Sequence, residues 1–341
     1  MAINPKIEFF RFTLKHKKEQ TATFKDFVIE ELGGRPTQSD NTLFTRLFKY
    51  FEDSLTGEHA RDEKLKTIIK VAKKKNLYIK KKPIADISKF IISGVINGGP
   101  YGRYRILGDT QNEEDENELG TNKIVYLYYY IFLYCPLDHN EGFFGIHSNS
   151  SQESVTQLFR NFVAKIFSGK HFYNSPISIF APKSFQDDFK KDSLIQSIVF
   201  EETFINPDFN SRTDGESSIP PSYDIKIVAT PKKGWIPAAA ADALKAFFAA
   251  MSFGEPENQK ELREFDSKLT TRKEGSNKTK TFQWADRDKT FTPVIYLEDY
   301  ITKFNPDDTP DFDALNSYIH SLFENEILNE IRPDKNATKS D

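Results

Sequence analysis

A single cysteine, Cys135, stands in 341 residues. The chain therefore closes no internal disulfide and builds no zinc site from several thiolates. A reducing, cytoplasmic setting suits that usage. The longest apolar run, Ile124 to Cys135 (IVYLYYYIFLYC), is too short to cross a bilayer as a helix, and its β-branched and aromatic residues mark it as a buried strand. The opening residues, MAINPKIEFFRF, lack the basic start, apolar block and small-residue cleavage site of a secretory signal, and read as mature protein. No internal repeat, heptad array or low-complexity tract sets the fold, and no membrane partner is expected.

Aromatic residues are plentiful. The 31 Phe and 14 Tyr supply ample core material for one large domain or two medium ones. Charge is unevenly spread: residues 1–90 hold 20 Lys/Arg against 12 Asp/Glu, and the remainder holds 27 against 38. One region is thus suited to a polyanion although the whole chain is slightly acidic.

Periodicity predicts a strand over 7–14 and a helix from a Thr23 cap to about Leu32, stopped by Gly33 and Gly34. A second helix is predicted over 43–55, and a third over about 62–75. In the third, Leu65, Ile68, Ile69 and Ala72 share one face, while Lys66, Lys70, Lys73 and Lys74 form a stripe beside it. Beyond residue 76 strands dominate. A hairpin is expected between 86–96 and 103–107, turning through NGGPYG at 97–102. A polar acidic loop follows at 109–118, then strands at 124–135 and 143–147 and an amphipathic helix over 150–167. Further strands are expected at 177–180, 195–205, 224–230 and 293–297, with helices over 237–251 and 312–328. The expected class is α+β, with a mixed, mainly antiparallel sheet, flanking helices and a basic, largely helical N-terminal region. The corresponding division is 1–86, 87–332 and a tail from 333 to 341.

Two lysine triplets bracket the stretch VAKKKNLYIKKKP at 71–83. Lys66, Lys70, Lys73, Lys74, Lys75, Lys80, Lys81 and Lys82, extended by Arg103 and Arg105, compose a candidate phosphate-tracking surface. Nearby Tyr78, Tyr101 and Tyr104 offer faces on which unpaired bases stack. A competing reading is structural: the first triplet closes a helix, and the second, ending at Pro83, guards an edge strand. The glycine-rich stretch 94–108 is expected to be a hairpin rather than a phosphate loop, because a strand and not a helix follows it.

Pro207-Asp208, followed after fifteen residues by Asp224-Ile225-Lys226, resembles the PD-(D/E)xK pattern of metal-dependent nucleases. That resemblance implies Mg²⁺ held by Asp208 and Asp224, with Lys226 supporting the attacking water. Asp224 and Lys226, two residues apart on a strand, project from one face. The pattern departs from that family in the following segment, where Ala238 to Ala241 offers no polar partner. Arg11 and His16 have the Arg-x4-His spacing of helical RNases of the HEPN type, but those residues belong on a helix and IEFFRFTL reads as strand. The leading expectation is a nucleic-acid-binding protein without its own enzymatic activity and without a cofactor, working within a larger complex such as a bacterial defence system. The alternatives are the Mg²⁺-dependent nuclease and a protein-interaction subunit, as a partner-bound chain or a homo-oligomer.

Overall fold

A computed structural model describes residues 5–71, 81–102, 104–108, 116–149, 154–205, 222–231, 236–237, 247, 252–253, 260–261, 266–273, 279–283, 295–305 and 309–333. The chain divides into two compact units, Met1–Phe180 with Val294–Asp341, and Ala181–Pro293. Helices and mainly antiparallel strands mix in it, so the class is α+β.

In the first unit the strands are β1 (Lys6–Thr13), β2 (Lys15–His16), β3 (Arg61–Asp62), β4 (Thr67–Lys70), β5 (Ile84–Asp86), β6 (Ile91–Pro100), β7 (Arg105–Gly108), β8 (Glu116–Leu119), β9 (Leu127–Tyr134), β10 (Glu141–Ser148), β11 (Phe172–Tyr173) and β12 (Ile177–Phe180). Its largest sheet runs β12-β1-β10-β9-β6-β4-β3, with β5 beside β6 and the strand Ile295–Tyr296 beside β1. Every pairing in it is antiparallel. Strand β1 therefore lies inside a sheet that also holds β6, β9 and β10, and the N-terminal segment is only partly helical.

The period-2 alternation of β1, β9 and β10 divides their large side chains between two faces. One face presents Phe10, Phe12, Ile131, Phe144 and Ile146 to the helices α1 (Phe24–Glu30), α2 (Asp40–Ser54) and α3 (Thr156–Ile166), closing a continuous core. The opposite face presents Phe132 and Phe143, whose rings meet Phe323 at 4.9 and 5.9 Å. Phe323 belongs to the C-terminal helix, Phe312–Leu322, which runs on through a π-helical turn at Phe323–Ile327 to Leu328–Ile331. That face also carries a polar tie: Tyr130 Oη donates to Asn316 Oδ1 at 2.9 Å, and Ser93 Oγ lies 3.1 Å from His320 Nε2. The tie is satisfied at both ends, so it orients the helix without leaving a lone polar group in the interface.

Helix α1 starts as expected. Thr23 and Asp26 form a reciprocal capping box, and Gly33, at φ +69°, follows the helix end. Three expectations fail. The helix expected over 62–75 does not form among its described residues up to Lys70: residues 61–70 form the β3–β4 hairpin, whose pairing sets Arg61 opposite Ile68. Nor do 97–102 turn back as a whole, because β6 continues through Gly98, Gly99 and Pro100, paired with β4 on one side and β9 on the other. Strand β7 pairs instead with β8, inside the segment expected to be an acidic loop.

The second unit contains α4 (Lys183–Asp192), β13 (Ser193–Ile205), β14 (Ser222–Ala229), β15 (Ile236–Pro237), β16 (Ser252–Phe253), β17 (Lys260–Glu261), β18 (Asp266–Lys273) and β19 (Thr279–Gln283). Its main sheet runs β14-β13-β18-β19, with β15 beside β13. Most of the helix expected over 237–251, and the tail beyond 333, lie outside the described residues.

Candidate nucleic-acid interface

Four of the described basic residues, Arg61, Lys64, Lys66 and Lys70, belong to the β3–β4 hairpin. Its turn is set locally: Asp62 Oδ1 accepts the backbone N–H groups of Lys64 and Leu65, both at 2.9 Å. Lys66 then takes a left-handed conformation, φ +50°, which is costly for a side chain other than glycine. The Tyr101 N–H donates to the Lys66 carbonyl at 2.8 Å, fixing the turn against the chain that leaves β6.

Three cations then meet two tyrosines. The Arg61 guanidinium lies 5.2 Å from the Tyr101 ring centre and Lys66 Nζ lies 5.6 Å from the same centre. Lys70 Nζ stands 3.8 Å from the centre of the Tyr126 ring. These are cation–π distances. Tyr126 reaches Lys70 because of Gly99. A β-carbon on Gly99 would sit 2.1 Å from the Val125 carbonyl oxygen, so only glycine lets residues 125 and 126 pass so close to β6.

Glu63 belongs to the same cluster, 3.1 Å from Lys66 Nζ and 3.6 Å from Arg61. A hydrogen bond from Tyr101, then the Lys66 ammonium, hold its carboxyl below the usual range. Partial burial and that carboxylate push the Tyr101 phenol up. Beside the hairpin a cleft of about 790 Å³ opens, lined by residues that include Glu58, Arg61, Glu63, Ile68 and Lys70.

The sequence-predicted basic residues fare unequally. Lys66 and Lys70 belong to this cluster, carried by a hairpin instead of a helical stripe. Lys81 is hydrogen-bonded to Asp313 at 2.6 Å and Lys82 lies 3.8 Å from Glu52. Lys73, Lys74, Lys75, Lys80 and Arg103 lie outside the described residues, and Arg105 is in β7. Arg61 and Tyr126 were missed, although an arginine directly before the acidic turn and a tyrosine opening the aromatic run were both visible.

For the nuclease-like pattern, Asp208 lies outside the described residues. Asp224 and Lys226 are both on β14, opposite Thr203 and Glu201 of β13. Lys226 is exposed and paired with Glu201 at 2.9 Å. Arg11 is in β1 and His16 in β2, so neither sits on the helix that the HEPN-type arrangement requires.

One cluster had no sequence signal, because its members are far apart in the chain. His16 Nε2 lies 3.1 Å and His171 Nδ1 3.9 Å from Glu30 Oε2, and the three offer ligand atoms within 4.8 Å of one another. The hydrogen bonding of His16 argues against a cation there. Its Nδ1 accepts the backbone N–H groups of Lys18 and Glu19 at 3.1 and 2.7 Å, so the neutral ring carries its proton on Nε2, facing Glu30. A metal-binding histidine needs the opposite arrangement, with the remote nitrogen donating. The cluster instead ties α1 to the β2–β11 pair.

No family model, curated protein or solved structure matches the chain.

Proposed function

We propose that this protein binds nucleic acid through the cationic, tyrosine-bearing surface around the β3–β4 hairpin, without cleaving it. The observation that carries this reading is the seating of Arg61, Lys66 and Lys70 over Tyr101 and Tyr126. Lysine and arginine supply phosphate affinity through counterion release, and tyrosine faces supply stacking that tolerates any base. The lysines at 73–75 and 80 continue the same stretch of sequence and add to its positive charge.

The test is a fluorescence-anisotropy titration of the full chain against labelled single- and double-stranded DNA and RNA at low and moderate salt. Saturable binding that weakens steeply with salt supports the reading. Absence of binding to all four probes at low salt removes it. Co-purification of a stoichiometric acidic protein partner at this surface would replace nucleic acid by protein as the ligand.

A further inference from the structure

Resting on the nucleic-acid reading above, we infer that the cleft beside the β3–β4 hairpin receives an unpaired base of a single strand and reads a base that carries an amino group, with guanine the best match. Three observations lead there. First, the cleft's volume of about 790 Å³ is that of a small-molecule site rather than of a groove following a duplex. Second, the half-buried side chain of Ile68 lines it above the buried Leu55, Ala60 and Ile69, an apolar contact from which a planar base gains and a phosphate does not.

The third observation is decisive. Two acidic residues, Glu58 and Glu63, line the cleft together with Arg61 and Lys70. A site built for phosphate alone would be weakened by acidic residues in its lining, because like charges repel. A base has N–H donors for them. Glu63 is already engaged by Tyr101, Lys66 and Arg61, whereas Glu58 makes no side-chain hydrogen bond or ion pair among the described residues. Its two oxygens match the adjacent N1–H and N2–H donors of guanine, and cytosine and adenine offer one exocyclic amino group each. In a duplex the N1–H, and one hydrogen of each exocyclic amino group, are already bonded to the opposite strand, so the base must be unpaired. Lys70 and Arg61 then stand where the flanking phosphates leave the cleft.

The experiment uses the full chain and four labelled probes of equal length: a guanine-rich and a guanine-free single strand, kept free of self-structure, and the two corresponding duplexes. The variant is Glu58→Gln, with an unchanged thermal midpoint as the folding control. The expected result is tighter binding of both single strands than of their duplexes and a preference for the guanine-rich strand. That preference falls about tenfold in the variant, while the salt dependence stays the same. Equal binding of single strands and duplexes, or a guanine preference that Glu58→Gln leaves intact, overturns the inference while the nucleic-acid reading stands. No binding to any of the four probes overturns both.

Discussion

Lys70 Nζ stands 3.8 Å from the centre of the Tyr126 ring, a contact that joins the last residue of β4 to the chain entering β9. An ammonium so placed holds the ring in position while still offering charge to a passing phosphate. Replacing Tyr126 by Ala is expected to weaken single-strand binding by about 1–3 kcal/mol. Lys70→Ala is expected to lower the slope of log affinity against log salt by about one. Parallel titrations of the two variants separate stacking from charge.

Gly99 is the backbone condition for that contact. Gly99→Ala places a methyl group 2.1 Å from the Val125 carbonyl oxygen, and backbone cannot yield as a flexible side chain does. The expected cost is about 1–3 kcal/mol, read as a lower denaturant midpoint. Nucleic-acid affinity should fall too, because Tyr126 moves with Val125.

His147 makes stability depend on pH. It is wholly buried in β10 against Phe312, and neither ring nitrogen reaches a hydrogen-bond partner among the described residues. Burial pushes its imidazole down to about 3, opposed only weakly by nearby Asn149. Between the ordinary histidine value, about 6.5, and that depressed value, the unfolded chain binds a proton that the folded chain refuses. Stability is therefore complete above the ordinary value and falls as pH drops, by about 1.4 kcal/mol per unit from this group alone. Chemical denaturation at a series of pH values should show this slope, and His147→Leu should reduce it.

The second lysine triplet is partly committed to the fold. Lys81 is bound to Asp313 of the C-terminal helix and Lys82 lies near Glu52 of α2. Surface pairs of this kind contribute about 0.2–1 kcal/mol. Lys81→Glu should lower the thermal midpoint slightly and weaken nucleic-acid binding less than Lys66→Glu does.

The binding reading also predicts chemical inertness. With Mg²⁺ or Mn²⁺ present, labelled DNA and RNA should remain intact on incubation with the protein, and Asp224→Ala should change nothing. Cleavage abolished by Asp224→Ala would establish the nuclease alternative.

Where local chemistry and burial agreed, the sequence could be read. The Thr23 cap and the apolar faces of α2 and α3 fall where local pattern places them, and β9 and β10 lie within a few residues of the strands expected at 124–135 and 143–147. The departure over 62–70 comes from a pattern with two readings: Leu65, Ile68, Ile69 and Ala72 fit a helical face in sequence, yet Leu65 is half exposed at the hairpin and only Ile69 of the β4 pair is fully buried. Two signals favoured a hairpin, the β-branched run Thr67-Ile68-Ile69 and an aspartate placed to hold a turn. Gly98 and Gly99 read as turn residues because glycine permits a bend, whereas here it permits a close crossing. That distinction lies in residues 125 and 126, far away in sequence. The meeting of Lys70 with Tyr126 was hidden for the same reason.

The most direct test of the central claim is the salt dependence of single-strand affinity in the parent chain and in a variant carrying Arg61→Gln, Lys66→Gln and Lys70→Gln. The account predicts a steep slope in the parent and a slope about two to three units shallower in the variant, with the fold intact. Identical slopes and affinities in the two proteins would contradict it and place any nucleic-acid contact elsewhere.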